Sequence, residues 1–452
     1  MVTKPLTPRR TQRYRYTALN GPSGPGRVTR RSLIKGAGGL AIGASAAGAL
    51  AGCENTTEAV AVSSGTPAGG KGLLGDPSAG GPVDSFGIPL SRRDYPVTLP
   101  RLRDPVATGT KPERGGQLKI FNYADYLNPA VLKKFGKQEG VSVRVTTFDS
   151  LDEAFAKLNA GLQFDVIFLS PDILSKWVGA KHIAPMNRDL VPNLDKTVWP
   201  ELHSPPYDVE ARYSVPYTTY TTGIGWRNDK ITEDVSKLGW DALWQAEKYK
   251  GKVGILDDGR EALGMALMRN GVANLNTEDP ALIEQAKKDL QDLTSKTHAK
   301  IDINEYESLP AGRSWIHQSW SGDLLAAVVG GYLPKNTPPT VLSYWYQVQG
   351  GPVYNDIITV AEKATKPVMA HRFLNYMLDP KVAYQNFVGY VGYQPPITSI
   401  DPNALFTKGI IPKQLSNAVI TRDAYANGNA YMGLTAKGDQ LWTSSWASVR
   451  NG

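Results

Sequence analysis

Cysteine is almost absent, with Cys53 the only one in 452 residues. A lone thiol excludes an internal disulfide, and without a CxxC pair it cannot build a cysteine-rich zinc site. Histidine is scarce as well. His182, His203, His298, His317 and His371 stand far apart and form no HxxxH or HExxH pair, so no metal site is expected. The chain also lacks a GxSxG elbow, a Walker loop and a dinucleotide fingerprint after a strand. No cofactor is therefore expected, and nothing demands an enzyme. Long apolar runs are missing beyond Cys53, where stretches such as 324–331 fall far short of the roughly 20 residues of a spanning helix. Acidic residues are missing from the first 53 positions, which carry nine Lys or Arg. The formal charge of +8 belongs to that segment, because 50 less 9 leaves 41 Lys and Arg against 42 Asp and Glu. A balanced remainder argues against nucleic acid as a partner, since phosphate neutralisation needs a basic surface.

The basic segment has its own order: Thr29-Arg30-Arg31-Ser32-Leu33-Ile34-Lys35, a weakly apolar Ala/Gly run, then Leu50-Ala51-Gly52-Cys53. It resembles a twin-arginine export signal with a lipoprotein cleavage site. The resemblance implies that residues 1–53 are a signal peptide, that Arg30 and Arg31 direct export of the folded protein, and that Cys53 is lipidated. The expected location is the outer face of the cytoplasmic membrane, periplasmic or cell-surface, with two or more acyl chains holding the protein there. Residues 54–115 are rich in Gly, Pro, Ser and Thr and read as a linker. Within it Tyr95, Val97 and Leu99 alternate as an extended piece able to lie against the body.

From Gly116 onward short strands alternate with amphipathic helices, over a length that calls for two lobes. Gln117–Phe121 reads as a strand, and Asn128 caps a helix with Pro129 at its first position and Val131, Leu132 and Phe135 on one face. Val141–Thr147 is the next strand. Ser150 and Glu153 have capping-box spacing before a helix that buries Leu151, Ala154, Phe155 and Leu158, and an apolar strand follows over Phe164–Leu169. This alternation implies a parallel sheet with its ligand crevice at the carboxyl ends of the strands. A second set repeats it: a helix over Trp240–Tyr249, the strand Lys252–Leu256 and a helix over Gly259–Asn270. A helix over Pro367–Leu378 and an amphipathic tail near Leu441–Val449 complete the body.

Chemistry concentrates where acids meet aromatics at predicted strand ends. The clusters are Asn122-Tyr123-Ala124-Asp125-Tyr126, Leu256-Asp257-Asp258-Gly259-Arg260-Glu261, Trp315–Asp323 with Trp320-Ser321-Gly322, and Val353-Tyr354-Asn355-Asp356. Carboxylates accept ammonium hydrogen bonds while rings cover methylenes and attract the charge, so the pattern suits an organic cation. It also suits carbohydrate. Plain structural roles compete with these: Asp258 and Glu261 have the spacing of N-cap and N3 residues, Tyr123 and Tyr126 suit packing in a turn, and Trp320 alone suits a core.

Taken together these residues resemble the spermidine/putrescine family of periplasmic substrate-binding proteins of ABC importers. The likeness runs from Leu118 to Tyr393. It is carried by Phe121-Asn122-Tyr123-Ala124-Asp125-Tyr126-Leu127, Phe164-Asp165-Val166-Ile167 with Ser170, Ser214-Val215-Pro216-Tyr217 leading to Thr222-Gly223-Ile224-Gly225, Asp257–Glu261, and Val391-Gly392-Tyr393-Gln394-Pro395. It implies an α/β, two-lobe periplasmic binding protein fold, type II-like, with crossing hinge strands. Residues 116–224 and 354–400 would form lobe 1, and 225–353 with 401–452 lobe 2. Asp258, Glu261 and Asp356 would hold ammonium groups, with Asp125 a further acid. Tyr123, Tyr126, Trp320 and Tyr354 would form an aromatic box, and Ser170 a polar contact. The chain departs from the family where Tyr123 and Tyr354 replace tryptophan, Ala124 replaces a hydroxyl residue and Asp172 takes an aromatic position; the extra carboxylate would favour a longer, more highly charged ligand, and the reshaped aromatic box a different amine altogether. The expected protein is a monomer that delivers a polyamine to an ABC permease with its ATPase. Alternatives from the same residues are a receptor for a sugar or other small solute, a sensor receptor, and a carboxylate-dependent hydrolase using Asp258 or Asp356.

Overall fold

The computed structural model describes residues 82–452. Arg30, Arg31, Cys53, the whole of the expected signal and the linker up to residue 81 lie outside the described residues. Ten strands form one twisted sheet: β1 (Gln117–Tyr123), β2 (Ser142–Phe148), β3 (Val166–Leu169), β4 (Ile183–Ala184), β5 (Ser214–Arg227), β6 (Val253–Leu256), β7 (Lys300–Asp302), β8 (Ile316–Trp320), β9 (Leu342–Trp345) and β10 (Val353–Ala361). Their order is β2-β1-β3-β10-β5-β8-β6-β7, with β4 also on β10 and β9 also on β5. β1, β2 and β3 run parallel, as do β6, β7 and β8. The two parallel groups are joined through antiparallel β10 and β5.

β5 serves both lobes. Its first half, Ser214–Thr221, pairs with β10, and its second half, Thr222–Trp226, pairs with β8. A register shift lies within the first half: Asp356 opposes Thr218 while Ile357 opposes Pro216, which leaves Tyr217 as an extra residue in β5. Pro216 has no N–H for the ladder, and a bulge is where a central strand tolerates that loss. The bulge also re-aims its neighbours, and Asp356 is one of them.

Local signals explain the helices. Asn128 accepts from the Ala130 N–H at 2.9 Å, and Gly140, at φ +69°, ends the helix Pro129–Glu139 in the left-handed conformation. Ser150 accepts from the Glu153 N–H at 3.2 Å, while Glu153 reaches the Asp149 N–H at 2.8 Å, one residue before the usual reciprocal partner. The helix expected over Trp240–Tyr249 is instead two short turns, Asp241–Trp244 and Glu247–Tyr249. The indoles of Trp240 and Trp244 donate to Gln347 Oε1 and the Asp289 carbonyl, and these tertiary anchors override the helical pattern.

Each lobe buries both faces of its half-sheet. In lobe 1, Leu118 and Ile120 face the helices Pro129–Glu139 and Pro367–Met377, while Phe121 and Phe148 face the opposite way toward Leu158 and Trp177. In lobe 2, Val253 and Ile255 pack under the helices Gly259–Arg269, Pro280–Thr297 and Ala436–Asn451, and Leu324 with Leu342 forms a smaller core with Leu405 and Leu415.

The end of the linker segment joins this body. Ile88, Val97 and Leu99 are buried in the second lobe-1 core, Leu90 is buried beside them, and Val97 exchanges backbone bonds with Pro206 and Val209. Arg93 continues across to the carbonyls of Tyr425 and Ala426. Leu99→Ala is expected to cost about 2–4 kcal/mol in urea unfolding, whereas Leu102→Ala, at a side chain 46% exposed, should stay within about 0.5 kcal/mol. Equal, small effects would remove this segment from the folded unit.

Candidate functional site

Four acids meet where the strand ends of the two lobes face each other. Asp356 sits in β10 opposite Thr218, and its carboxylate accepts from the Tyr126 hydroxyl at 2.6 Å and the Tyr220 hydroxyl at 3.1 Å. Glu261 stands in the first turn of the helix Gly259–Arg269. Its Oε1 accepts from the Trp320 indole at 2.7 Å and the Thr222 hydroxyl at 2.9 Å, while Oε2, equally buried, has no partner. Asp258 is the N-cap of that helix, with Oδ1 accepting from the N–H groups of Arg260 and Glu261 at 2.9 and 3.1 Å. The capping role and a ligand role coexist, because the cap uses one oxygen. Asp172 lies in the turn after β3, held by the Ser170 hydroxyl, which donates to its Oδ1.

Aromatic rings line the space between them. Tyr126 meets Tyr123, Tyr217 and Tyr393 edge-on, with centroids 5.8, 5.1 and 4.9 Å away. Tyr354 stacks on Tyr431 at 5.0 Å and leans on Tyr220 at 5.4 Å. Trp320 ends β8 and starts the helix Ser321–Val329. Its position is fixed from behind, where its N–H reaches Glu305 Oε1 at 3.4 Å and where Gly322 lies so close to Tyr393 that a Cβ would stand 2.3 Å from the ring. A cavity of about 220 Å³ adjoins the group, lined among others by Tyr207, Tyr354, Asn355, Tyr425 and Tyr431, and takes in none of the four acids. The acids are enclosed between the lobes; the cavity opens beside them.

Burial governs their protonation. It pushes Asp356 up to about 6, against the hydrogen bonds of Tyr126 and Tyr220 that favour its charge. Glu261 is pushed up to about 8, by burial first and then by the charge of Asp258. Asp258 and Asp172 are also raised by burial, and the charge of Asp172 adds to the rise of Asp258. Behind Trp320, burial raises Glu305 well above the carboxylate range, aided by the charge of Asp323.

The structure brings together Tyr123, Tyr126, Ser170, Asp172, Asp258, Glu261, Trp320, Tyr354 and Asp356. Asp125 stands apart. It is exposed, has φ +54°, and accepts from the Tyr390 hydroxyl at 2.8 Å. Its charge is felt by Tyr306 and Tyr332 and is absent from the fields acting on Asp356 and Glu261. Residues that sequence reasoning missed are Thr218, Tyr220, Thr222 and Tyr431. The first three signal themselves only as polar side chains in the middle of a buried strand, and Tyr431 carries no local signal. Among the described residues no group of three or more His, Cys, Asp or Glu is arranged to hold a metal ion, and no helix is long and apolar enough to cross a membrane.

Because the folded pKa values of Glu261 and Asp356 lie above those of the unfolded chain, their contribution to stability is present at low pH and is lost as pH rises through about 6 and then about 8. The melting temperature of the ligand-free protein should therefore fall between pH 5 and pH 8. Glu261→Gln should melt higher than wild type at pH 8 and show a flatter profile. An unchanged slope in the variant would show that Glu261 is ionised throughout.

Comparison with known proteins adds a family. A family model described as bacterial extracellular solute-binding protein matches residues 130–413. The spermidine/putrescine-binding periplasmic protein of Escherichia coli strain K12 is 28% identical over 281 residues, covering 62% of this chain and 77% of the relative. Among solved structures, a putative spermidine/putrescine ABC transporter from Listeria monocytogenes is similar with a TM-score of 0.63 at 25% identity, over 74% of this chain and 98% of that one. The Tp0655 lipoprotein of Treponema pallidum shares the fold with a TM-score of 0.62 at 20% identity, over 74% and 100%. These are solute-binding proteins, not enzymes, and their two-lobe fold is the fold of this chain.

Proposed function

Because the chain belongs to the bacterial extracellular solute-binding proteins, we propose that it captures a polyamine between its two lobes and delivers it to an ABC importer. The observation that carries this reading is Glu261 Oε2, an acidic oxygen in a residue only 5% exposed, with no donor, beside Asp258 and within a ring of tyrosines. Ionising a buried carboxyl that lacks a donor is costly, so the empty cleft holds Glu261 protonated. A ligand ammonium supplies the missing donor and charge together. Asp258, Glu261 and Asp356 would take ammonium groups, Tyr123, Tyr126, Trp320 and Tyr354 would cover the methylenes, and Ser170 would hold Asp172 for a further contact. Asp125 would act at the rim. Two or three charge-assisted bonds at about 1.5–3 kcal/mol each, with cation–π attraction of roughly 0.5–2 kcal/mol, are compatible with micromolar binding at about −8 kcal/mol.

The same reading includes export by the Arg30-Arg31 signal, lipidation of Cys53 and attachment of a monomer to the outer face of the cytoplasmic membrane. Support for it comes from the ordered motif in residues 29–53 and from the extracellular character of the family. In the lobe terms above, 116–224 with 354–400 and 225–353 with 401–452 would be the bodies that close on the ligand.

Calorimetric titration with putrescine, spermidine, spermine and a neutral sugar at two salt concentrations tests the cargo. Saturable amine binding that weakens with salt, and that drops about 10-fold or more in Asp356→Ala, is the expected result. Salt-insensitive binding of the sugar, or no heat with any amine, would replace the polyamine by another solute of the same fold.

A further inference from the structure

Asp172 is tied to its own turn. It sits half-buried in the three-residue turn Pro171–Ile173 that follows β3, and its carboxylate is held by Ser170 alone among side chains. The cations nearby are engaged elsewhere. Lys176 pairs with Asp439 at 2.9 Å, and Arg450 pairs with Asp257 at 3.1 Å. Arg260 lies between the rings of Tyr431 and Trp442, 5.0 and 4.6 Å from their centroids, and donates to Asn276 Oδ1 at 2.7 Å.

Yet the charge of Asp172 reaches every other acid of the cleft. It raises Asp258, Glu261 and Asp356 from lobe 1, across the gap in which Glu261 Oε2 lacks a donor. Arg260 is the one cation opposing Asp172 and Asp258. With all four acids ionised, one guanidinium leaves three negative charges in an enclosed, aromatic space. A diamine neutralises two of them. The third would remain beside like charges in a region of low dielectric, where an unpaired anion is most costly.

Resting on the polyamine reading above, we infer that Asp172 selects for amines with three or more ammonium centres over diamines. The extra ammonium sits against Asp172, at the lobe-1 end of the cleft. Asp172 also lines a small recess together with Asp84, Lys176, Arg260, Gly433 and Asp439. Asp172 is a specificity residue in this scheme: a triamine pairs its charge with the third ammonium, whereas a diamine leaves it unpaired.

The test is calorimetry of the full mature protein with spermidine and with putrescine at one ionic strength, for wild type, Asp172→Asn and Asp172→Glu, with melting temperatures as a check on folding. Wild type is expected to prefer the triamine by about 10-fold or more, and Asp172→Asn to lose about 10- to 100-fold for spermidine while putrescine binding is kept or tightened, because the unpaired charge is gone. Asp172→Glu should recover part of the preference. Equal loss for both amines, or no loss for either, overturns the inference and leaves the polyamine reading standing. The wild-type ratio is an independent readout: a protein that binds both amines alike has no triamine selectivity to assign. A wild type that binds neither amine overturns both readings.

Discussion

Everything in this molecule hangs on β5. It is fourteen residues long, and its two halves belong to ladders in different lobes. A strand shared in this way cannot slip by one residue without turning every side chain of both ladders to the wrong face. The bulge at Tyr217 is the one place where its register changes, and Tyr217 is bonded on both sides of that point, donating to the Tyr126 carbonyl and accepting from Asn386 at 2.8 Å. Thr218, Tyr220 and Thr222 are thus presented toward the acids by the same strand that joins the lobes. Binding groups and hinge are one piece of backbone.

The acids themselves are placed by economical means. Asp258 is a helix cap, Glu261 is the N3 residue of the same helix, Asp356 is a strand residue beside a bulge, and Asp172 is the middle of a turn. Helix N-termini favour negative charge, which offsets part of the cost of gathering Asp258 and Glu261. Burial still wins, as the upward pKa values of the whole group show. The field is left to be cancelled by something that the protein does not itself contain. Receptors that must release their cargo gain from this design, since the cost of an empty cleft appears only when it is closed and dry.

Much of this was legible in the sequence where a residue has a local job. Asn128 and Ser150 announced their helices, and Asp258 with Glu261 announced both a cap and a pair of acids at a strand end. The acid-and-aromatic clusters pointed to one site because strand ends of an α/β sheet converge. What could not be read was convergence from opposite lobes: Tyr220 and Thr222 are ordinary members of a polar stretch until the ladder sets Tyr220 against Tyr354. Asp125 shows the converse. It shares a five-residue motif with Tyr126, but its left-handed backbone turns it toward Tyr390 and away from the cleft. The broken helix at Trp240–Tyr249 was likewise decided by indole bonds to distant residues, which no local periodicity records.

The protonation of Glu261 reaches beyond stability. With a pKa near 8 the empty cleft carries a proton at neutral pH where an ammonium group would later sit. Under the proposed function, loading would exchange one proton for a cation, and the net charge would change by one unit less than the charge of the ligand. For a diamine one added charge remains and for a triamine two, so screening over about 8 Å is what would mute the difference at the surface. Under the proposed function, shape would be the stronger signal of loading: the angle between lobes that β5 and β10 permit.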